Sequence, residues 1–90
     1  MSDQAKETLL EFPCRFPVKV MGARHDDFAQ TIHDITLRHA PDFVAADLDM
    51  RVSKNGYYLA VTVTITAVSK AQLDALYMEL TGHPMVKIVF

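Results

Sequence analysis

The chain has 90 residues, of which 50% are hydrophobic and 22% are charged, and this composition excludes an intrinsically disordered protein. Its net charge of −2 gives no general attraction to nucleic acid or acidic membranes, and its single cysteine excludes an intrachain disulfide. We expect one domain over residues 9–90, preceded by a flexible segment over residues 1–8.

The first predicted element is a β-strand that starts near Phe16 and ends at Gly22. Phe16, Val18 and Val20 alternate with other residues at a period of two, which is typical of a strand with one buried face. Pro17 cannot donate a hydrogen bond to a neighbouring strand, so it favours an irregular strand start.

A helix is predicted next, with Asp26 as its N-cap and Pro41 as the residue that stops it. We expect an ion pair on its surface between Asp34 and Arg38, which are four residues apart. The residues that recur at helical spacing on its apolar face are Phe28, Ile32, Ile35 and His39.

A hairpin follows this helix. Val44–Lys54 alternates as a strand, and Asn55-Gly56 is typical of a type I′ turn with positive φ at both positions. The returning strand, residues 58–66, has the clearest alternation in the chain. Its apolar face comprises Leu59, Val61, Val63 and Ile65.

The second helix is predicted from a capping box formed by Ser69 and Gln72. Gly82 lies where a C-terminal cap is expected, and residues 85–90 form a last short strand. The residues that this helix should bury are Leu73, Leu76, Tyr77 and Leu80.

The resulting order βαββαβ predicts an α+β, ferredoxin-like fold. Its four-stranded antiparallel sheet carries two helices on one face. Right-handed crossovers place the first and third strands at the centre and the other two at the edges.

The other face of this sheet is left uncovered. It is either a solvated surface or a surface for a partner, and Tyr58 and Lys87 are the candidate interaction residues. By strand parity it should carry the threonines of the third strand together with Arg15, Lys19, Met21, Asp47, Asp49, Arg51, Tyr58, Met85, Lys87 and Val89.

Few residues suggest catalysis or metal binding. We interpret Cys14 as a small, half-buried apolar residue rather than a reactive thiol, and His39 as a structural residue at the end of a helix. The four histidines include no i,i+4 pair on one helix face, so neither a metal site nor a cofactor is predicted.

Nucleic-acid binding is considered because the RNA-recognition module has the same fold. That module stacks bases on aromatic residues of its central strands, whereas the first strand here offers Lys19. We therefore expect no nucleic-acid partner. Residues 21–27 are interpreted as a plain loop, with contact to a small molecule as the alternative.

Several segments together resemble the YbeD-like family of small bacterial proteins. This resemblance implies a fold similar to ACT regulatory domains, which bind small effectors near the loop after their first strand and assemble through their sheets. It implicates Lys19, Met21 and Gly22 as ligand-binding residues and brings no catalytic residues with it. The segments are LLEFPCRFPVKVMG (9–22), RHAP (38–41), SKNGYY (53–58), LYMEL (76–80) and VKIVF (86–90).

The sequence thus predicts a small, non-enzymatic regulatory or binding domain that forms a homodimer and takes a small effector. The alternative is a protein–protein interaction module that uses the open sheet face or an edge strand. We expect a cytoplasmic location and no membrane partner, because residues 1–10 are polar and no apolar run reaches the ~20 residues of a membrane helix.

Overall fold

The computed structural model describes residues 11–90, which form an antiparallel sheet covered on one face by two helices. The strand order β2-β3-β1-β4 confirms the predicted ferredoxin-like fold. The segment predicted to be flexible, residues 1–8, lies outside the described residues. The elements are β1 (Cys14–Ala23), α1 (Phe28–His39), a 3₁₀ turn (Ala45–Asp47), β2 (Leu48–Val52), β3 (Tyr58–Ala67), α2 (Lys70–Thr81) and β4 (Val86–Val89).

The core lies between the two central strands and the helices. Every second residue of β3 points into it, as the alternation predicted, and Val63 and Ile65 have no exposed surface. The other buried hydrophobic residues of β1 and the helices are Val18, Val20, Phe28, Ile32, Ile35, Leu73, Leu76 and Leu80.

The start of α1 corrects the sequence prediction by one residue. Asp27 rather than Asp26 is the N-cap, and its carboxylate makes no capping hydrogen bond. The backbone N–H of Asp27 donates instead to Nδ1 of His25, at 3.0 Å. This side-chain turn holds the chain in a non-helical conformation until Phe28.

The ion pair predicted within α1 is also absent. Arg38 pairs with Glu79 on α2 rather than with Asp34, because the two helices pack side by side. The Asp34 carboxylate accepts a hydrogen bond from the Gln30 side chain at 2.8 Å. The helix ends at His39, two residues before Pro41, as predicted.

The capping box of α2 is confirmed. Ser69 Oγ accepts a hydrogen bond from the Gln72 N–H at 3.0 Å, and Gln72 Oε1 accepts one from the Val68 N–H at 2.7 Å. Gly82 occupies the C-cap, but its φ of −83° is not the left-handed conformation that glycine caps usually supply.

The β2–β3 hairpin has a longer loop than the type I′ turn that was predicted. The Gly56 N–H donates to the Ser53 carbonyl at 2.9 Å, and Gly56 alone has positive φ, at 78°. Asn55 keeps negative φ because its side chain turns back and accepts the Tyr57 N–H at 3.0 Å. The hairpin itself is as predicted. β2 is shorter than expected, since residues 45–47 form a 3₁₀ turn.

The last strand corrects the predicted parity. Its register against β1 shifts between Met21 and Gly22, so that Ile88 pairs with Met21 and Val86 pairs with Gly22. This bulge adds one residue, Lys87, to β4. Val89, which was predicted on the open face, consequently packs against the core. Met85 was also predicted there, but it lies in the turn before β4 and packs against the core as well. Gly22 does not end β1, which continues to Ala23.

Candidate functional site

The open face of the sheet carries two adjoining depressions, of about 160 and 360 Å³, that both contact Met21 and Tyr58. We call them together the Met21 groove. The smaller one is lined by Lys19, Met21, Arg51, Val52, Ser53, Tyr58, Leu59 and Ala60. The larger one is lined by Met21, Tyr58, Lys87 and Ile88.

Strand geometry explains how these side chains meet. Lys19 and Met21 are two residues apart in β1 and therefore point to the same face. Tyr58 comes from the start of β3, where it pairs with Ala23, and Ile88 comes from β4, where it pairs with Met21. Four of the five residues predicted from sequence as ligand or partner contacts, Lys19, Met21, Tyr58 and Lys87, thus line one groove.

The fifth residue, Gly22, faces the opposite way. It is buried on the helix side of β1, where a Cβ would stand 2.2 Å from the Met85 carbonyl oxygen and 2.5 Å from Cε1 of Phe28. A side chain at this position would therefore collide with the core. Gly22 allows α1 and the segment before β4 to pack closely beneath the groove and does not line it.

The groove has a cationic rim. Lys19 Nζ lies 5.7 Å from the ring centroid of Phe90, a cation–π distance, and within residues 11–90 neither Lys19 nor Lys87 forms an ion pair. Arg51 contacts Asp49 at 3.2 Å, but both side chains are largely exposed. Such a pair is weak and can be exchanged for another carboxylate.

The remaining residues considered for chemistry lie elsewhere. Cys14 pairs with Ala67 at the opposite end of β1 and packs, half-buried, against the core. His83 Nδ1 accepts the Met85 N–H at 3.1 Å, and the His33 ring contacts Phe43 with the centroids 5.6 Å apart. Within the part of the chain that the structure describes, no three His, Cys, Asp or Glu residues are grouped to hold a metal ion.

A cluster that the sequence did not predict joins the two helices. Glu79 of α2 accepts from Arg38 and lies 2.7 Å from Nε2 of His39, through its Oε1. The hydrogen bond from Arg38, and then that from His39, lowers the pKa of Glu79, while the bond to Glu79 raises the pKa of Arg38. About forty residues separate the partners, so no local spacing could have indicated this contact. His39 was predicted on the apolar face of α1, but its ring contacts this carboxylate on the neighbouring helix. Its structural role stays a prediction.

Another depression, of about 380 Å³, is on the helix side and is lined by Ala29, Gln30, His33, Ala45 and Leu48. It lies between α1 and the start of β2. Gln30 already donates to Asp34, and among residues 11–90 no Lys or Arg lines the depression. We regard it as the incompletely covered margin of the core, and the Met21 groove, which Lys19, Arg51 and Lys87 line, as the better candidate site.

No helix within residues 11–90 has the length and hydropathy needed to cross a membrane.

Comparisons with known proteins agree with the resemblance noted from the sequence. Residues 7–90 match the model of a family described as "Protein of unknown function (DUF493)". A UPF0250 protein of Chromobacterium violaceum is 55% identical over 89 residues, covering 99% of both chains. A UPF0250 protein of Bordetella pertussis is 51% identical over 84 residues, covering 93% of this chain and 92% of the relative.

One solved structure is also similar. The solution structure of HP0495 from H. pylori matches with a TM-score of 0.77 and covers 100% of this chain and 94% of that one. The sequence identity is 15%, so this likeness shows the fold alone.

Proposed function

Because this chain belongs to the DUF493 family, whose description assigns no activity, we propose its function from geometry. It is a non-enzymatic, cytoplasmic regulatory domain whose Met21 groove binds a small amphipathic carboxylate. The observation that carries this proposal is that Lys19 lines the smaller and Lys87 the larger of two depressions that share Met21 and Tyr58, and neither lysine forms an ion pair within residues 11–90.

The chemistry of the groove defines the ligand class. The two ammonium groups attract a carboxylate, and the Tyr58 ring and the Met21 thioether provide a soft apolar contact for an aliphatic or aromatic group. Apolar amino acids and short fatty acids carry both features. The resemblance to ACT domains, which bind amino acids, favours the same class.

The groove is open on one side, so its affinity should be modest. A ligand of about 12 non-hydrogen atoms that gains roughly 0.35 kcal/mol per atom binds with about 4 kcal/mol, a Kd on the order of 1 mM. Such an affinity suits a domain that senses a metabolite present at high concentration.

The non-enzymatic assignment is supported by where the reactive groups lie. Cys14 is on the helix side of β1 near its start, and His39 is bonded to Glu79 between the helices. Neither lines the Met21 groove, so a ligand held there meets no nucleophile or general base from either residue.

The test is a ¹⁵N NMR titration with apolar amino acids and C4–C8 fatty acids at roughly 5–10 mM, above the expected Kd. We expect one or more of them to shift the amides of Met21, Tyr58 and Lys87. The double variant Lys19→Gln/Lys87→Gln should weaken this binding about tenfold, because two charge contacts are lost. Lys70→Gln is the control variant. It removes one positive charge on α2, where Lys70 contacts Asp74, and should leave the ligand affinity unchanged.

Shifts that are absent for the whole set, or that are equal in the double variant and the wild type, would overturn the effector proposal.

The second candidate is a protein interaction module that uses the same face. Tyr58 is 41% exposed, Ile88 48% and Phe90 58%, which is a considerable apolar surface. Affinity capture from a bacterial lysate, compared with a Tyr58→Ser/Ile88→Ser variant, tests this candidate. A partner retained by the wild type alone supports it, and identical captured sets contradict it.

A further inference from the structure

The edge strand β2 is uncovered in two respects. Met50 and Val52 point to the helix side, yet they are 49% and 48% exposed, because α1 packs mainly over β3 and leaves these two residues of β2 uncovered. Within Leu48–Val52 there is no proline, no lysine and no bulge, which are three of the devices that prevent edge strands from pairing, and the two charged residues, Asp49 and Arg51, are of opposite sign.

The backbone of β2 is arranged for a further strand. The Ser53 N–H donates to the Tyr58 carbonyl at 2.9 Å, so Ser53 and, by alternation, Arg51 and Asp49 direct their backbone groups toward β3. The backbone groups of Met50 and Val52 therefore point away from the sheet. The Leu48 N–H bonds to Ala45, and its carbonyl points outward with the others.

The other edge of the sheet is different. β4 has four residues, and its register is interrupted by the bulge at Lys87, an exposed cation. A bulge and a charge both oppose regular pairing. Of the two edges, β2 is the one that can extend the sheet.

The sequence of β2, LDMRV, is complementary to itself. In an antiparallel pair centred on Met50, Asp49 stands opposite Arg51 of the partner subunit, and Arg51 opposite the partner subunit's Asp49. These are non-hydrogen-bonded positions, at which facing side chains come closest. Leu48, which is half-buried, stands opposite the partner's Val52 on the helix side, so the pairing covers the exposed Val52 of each subunit.

We propose that β2 is a homodimerisation edge, through which two copies of this chain form a continuous eight-stranded antiparallel sheet about a two-fold axis at Met50. Four backbone hydrogen bonds form, two between the Met50 residues and two from Val52 to the Leu48 carbonyl. All four helices lie on one face. The proposal is independent of the Met21 groove, although Arg51 also lines that groove.

A pair of five-residue strands is smaller than a standard protein interface, so the dimer should be weak, with a Kd on the order of 10–1000 µM. Sedimentation equilibrium of the full chain without ligand should show a mass that rises toward twice 10.1 kDa with concentration. A monomer at every concentration up to about 1 mM overturns the proposal.

Charge variants test the register. Arg51→Asp places carboxylates opposite one another and should weaken the dimer at least tenfold. The swap Asp49→Arg/Arg51→Asp restores opposite charges across the axis and should recover the wild-type Kd within about threefold. A swap variant that stays as weak as Arg51→Asp, with a folded NMR spectrum, overturns the proposed register.

A cysteine trap gives a second readout. In a Cys14→Ala background, Met50→Cys should form a disulfide-linked dimer under mild oxidation, because residues 50 of the two copies face each other. Met78→Cys is the matched control, since Met78 is 75% exposed on α2, away from the proposed interface. Equal rates of cross-linking at the two sites contradict the proposal.

Discussion

Gly22→Ala is expected to destabilise the protein strongly, although it adds a single methyl group. The added Cβ would lie 2.2 Å from the Met85 carbonyl oxygen, about 0.8 Å inside the 3.0 Å limit for real Cβ contacts, and 2.5 Å from Cε1 of Phe28. The first neighbour is backbone and the second is a fully buried ring, so neither moves without displacing β4 or α1.

The magnitude follows from two opposing effects. Overpacking a core costs typically 1–3 kcal/mol and occasionally more. Because the added methyl group collides with backbone, we expect Gly22→Ala to cost about 3–4 kcal/mol. Replacing glycine by alanine also lowers the entropy of the unfolded chain, which contributes about 0.4–1 kcal/mol of stability. We expect a net loss of about 3 kcal/mol from a domain with roughly 5–10 kcal/mol in total.

Urea unfolding followed by circular dichroism measures this loss. With an m-value near 1 kcal/mol/M, the midpoint should fall by about 3 M. Gly82→Ala is the matched control, because its Cβ would be 3.3 Å from the Met78 carbonyl oxygen and its φ is −83°; we expect a change within about 0.5 kcal/mol. A loss below about 1 kcal/mol at Gly22 would refute the packing described beneath the groove.

Three further predictions concern the core and the helices. Ile65→Ala should cost about 2–4 kcal/mol in urea unfolding, whereas Thr64→Ala, on the open face, should cost less than about 0.5 kcal/mol; equal losses contradict the assigned strand faces. Ser69→Ala removes the side-chain cap of α2 and should lower the unfolding free energy by about 1 kcal/mol, and an unchanged midpoint would mean that the cap contributes nothing. Glu79→Gln tests pH dependence. The folded-state pKa of Glu79 is lowered from 4.5, so its stabilisation is present above that pH and is lost as the pH falls through the folded value. The variant should therefore be less stable than the wild type at pH 7, by less than about 1 kcal/mol because the pair is partly exposed, and equally stable near pH 2; a difference that persists there contradicts the assignment.

Local patterns were sufficient to predict the fold. The alternation of Leu59, Val61, Val63 and Ile65 determines the buried face of β3, and the Ser69–Gln72 capping box determines where α2 begins. The β2–β3 hairpin was likewise predictable from Asn55-Gly56. These features depend on residues within a few positions of one another, which is the range over which sequence periodicity and capping carry information.

Features that depend on distant partners were not predictable. Arg38 pairs with Glu79 rather than with its near neighbour Asp34, because α1 packs on α2. The side-chain directions predicted for β4 were wrong after the bulge, because its extra residue reverses the face to which every later side chain points. The sequence indicated Gly22 as a strand end and a ligand-binding residue. That a side chain at this position would collide with Phe28 and Met85 is seen only in the assembled core.

The bulge in β4 connects the two surfaces of interest. By adding Lys87, it brings Ile88 opposite Met21 on the open face and places a cation at the rim of the groove. The same irregularity interrupts the outer edge of β4, which leaves β2 as the regular edge. A dimer through β2 has its two-fold axis perpendicular to the sheet, so both grooves open on the same side, opposite the four helices. Arg51 is common to the groove and the proposed dimer edge, and a carboxylate that draws Arg51 away from Asp49 therefore competes with the cross-strand ion pair. If both proposals hold, ligand binding should weaken dimerisation, and by linkage the monomer should bind ligand more tightly than the dimer by the same factor.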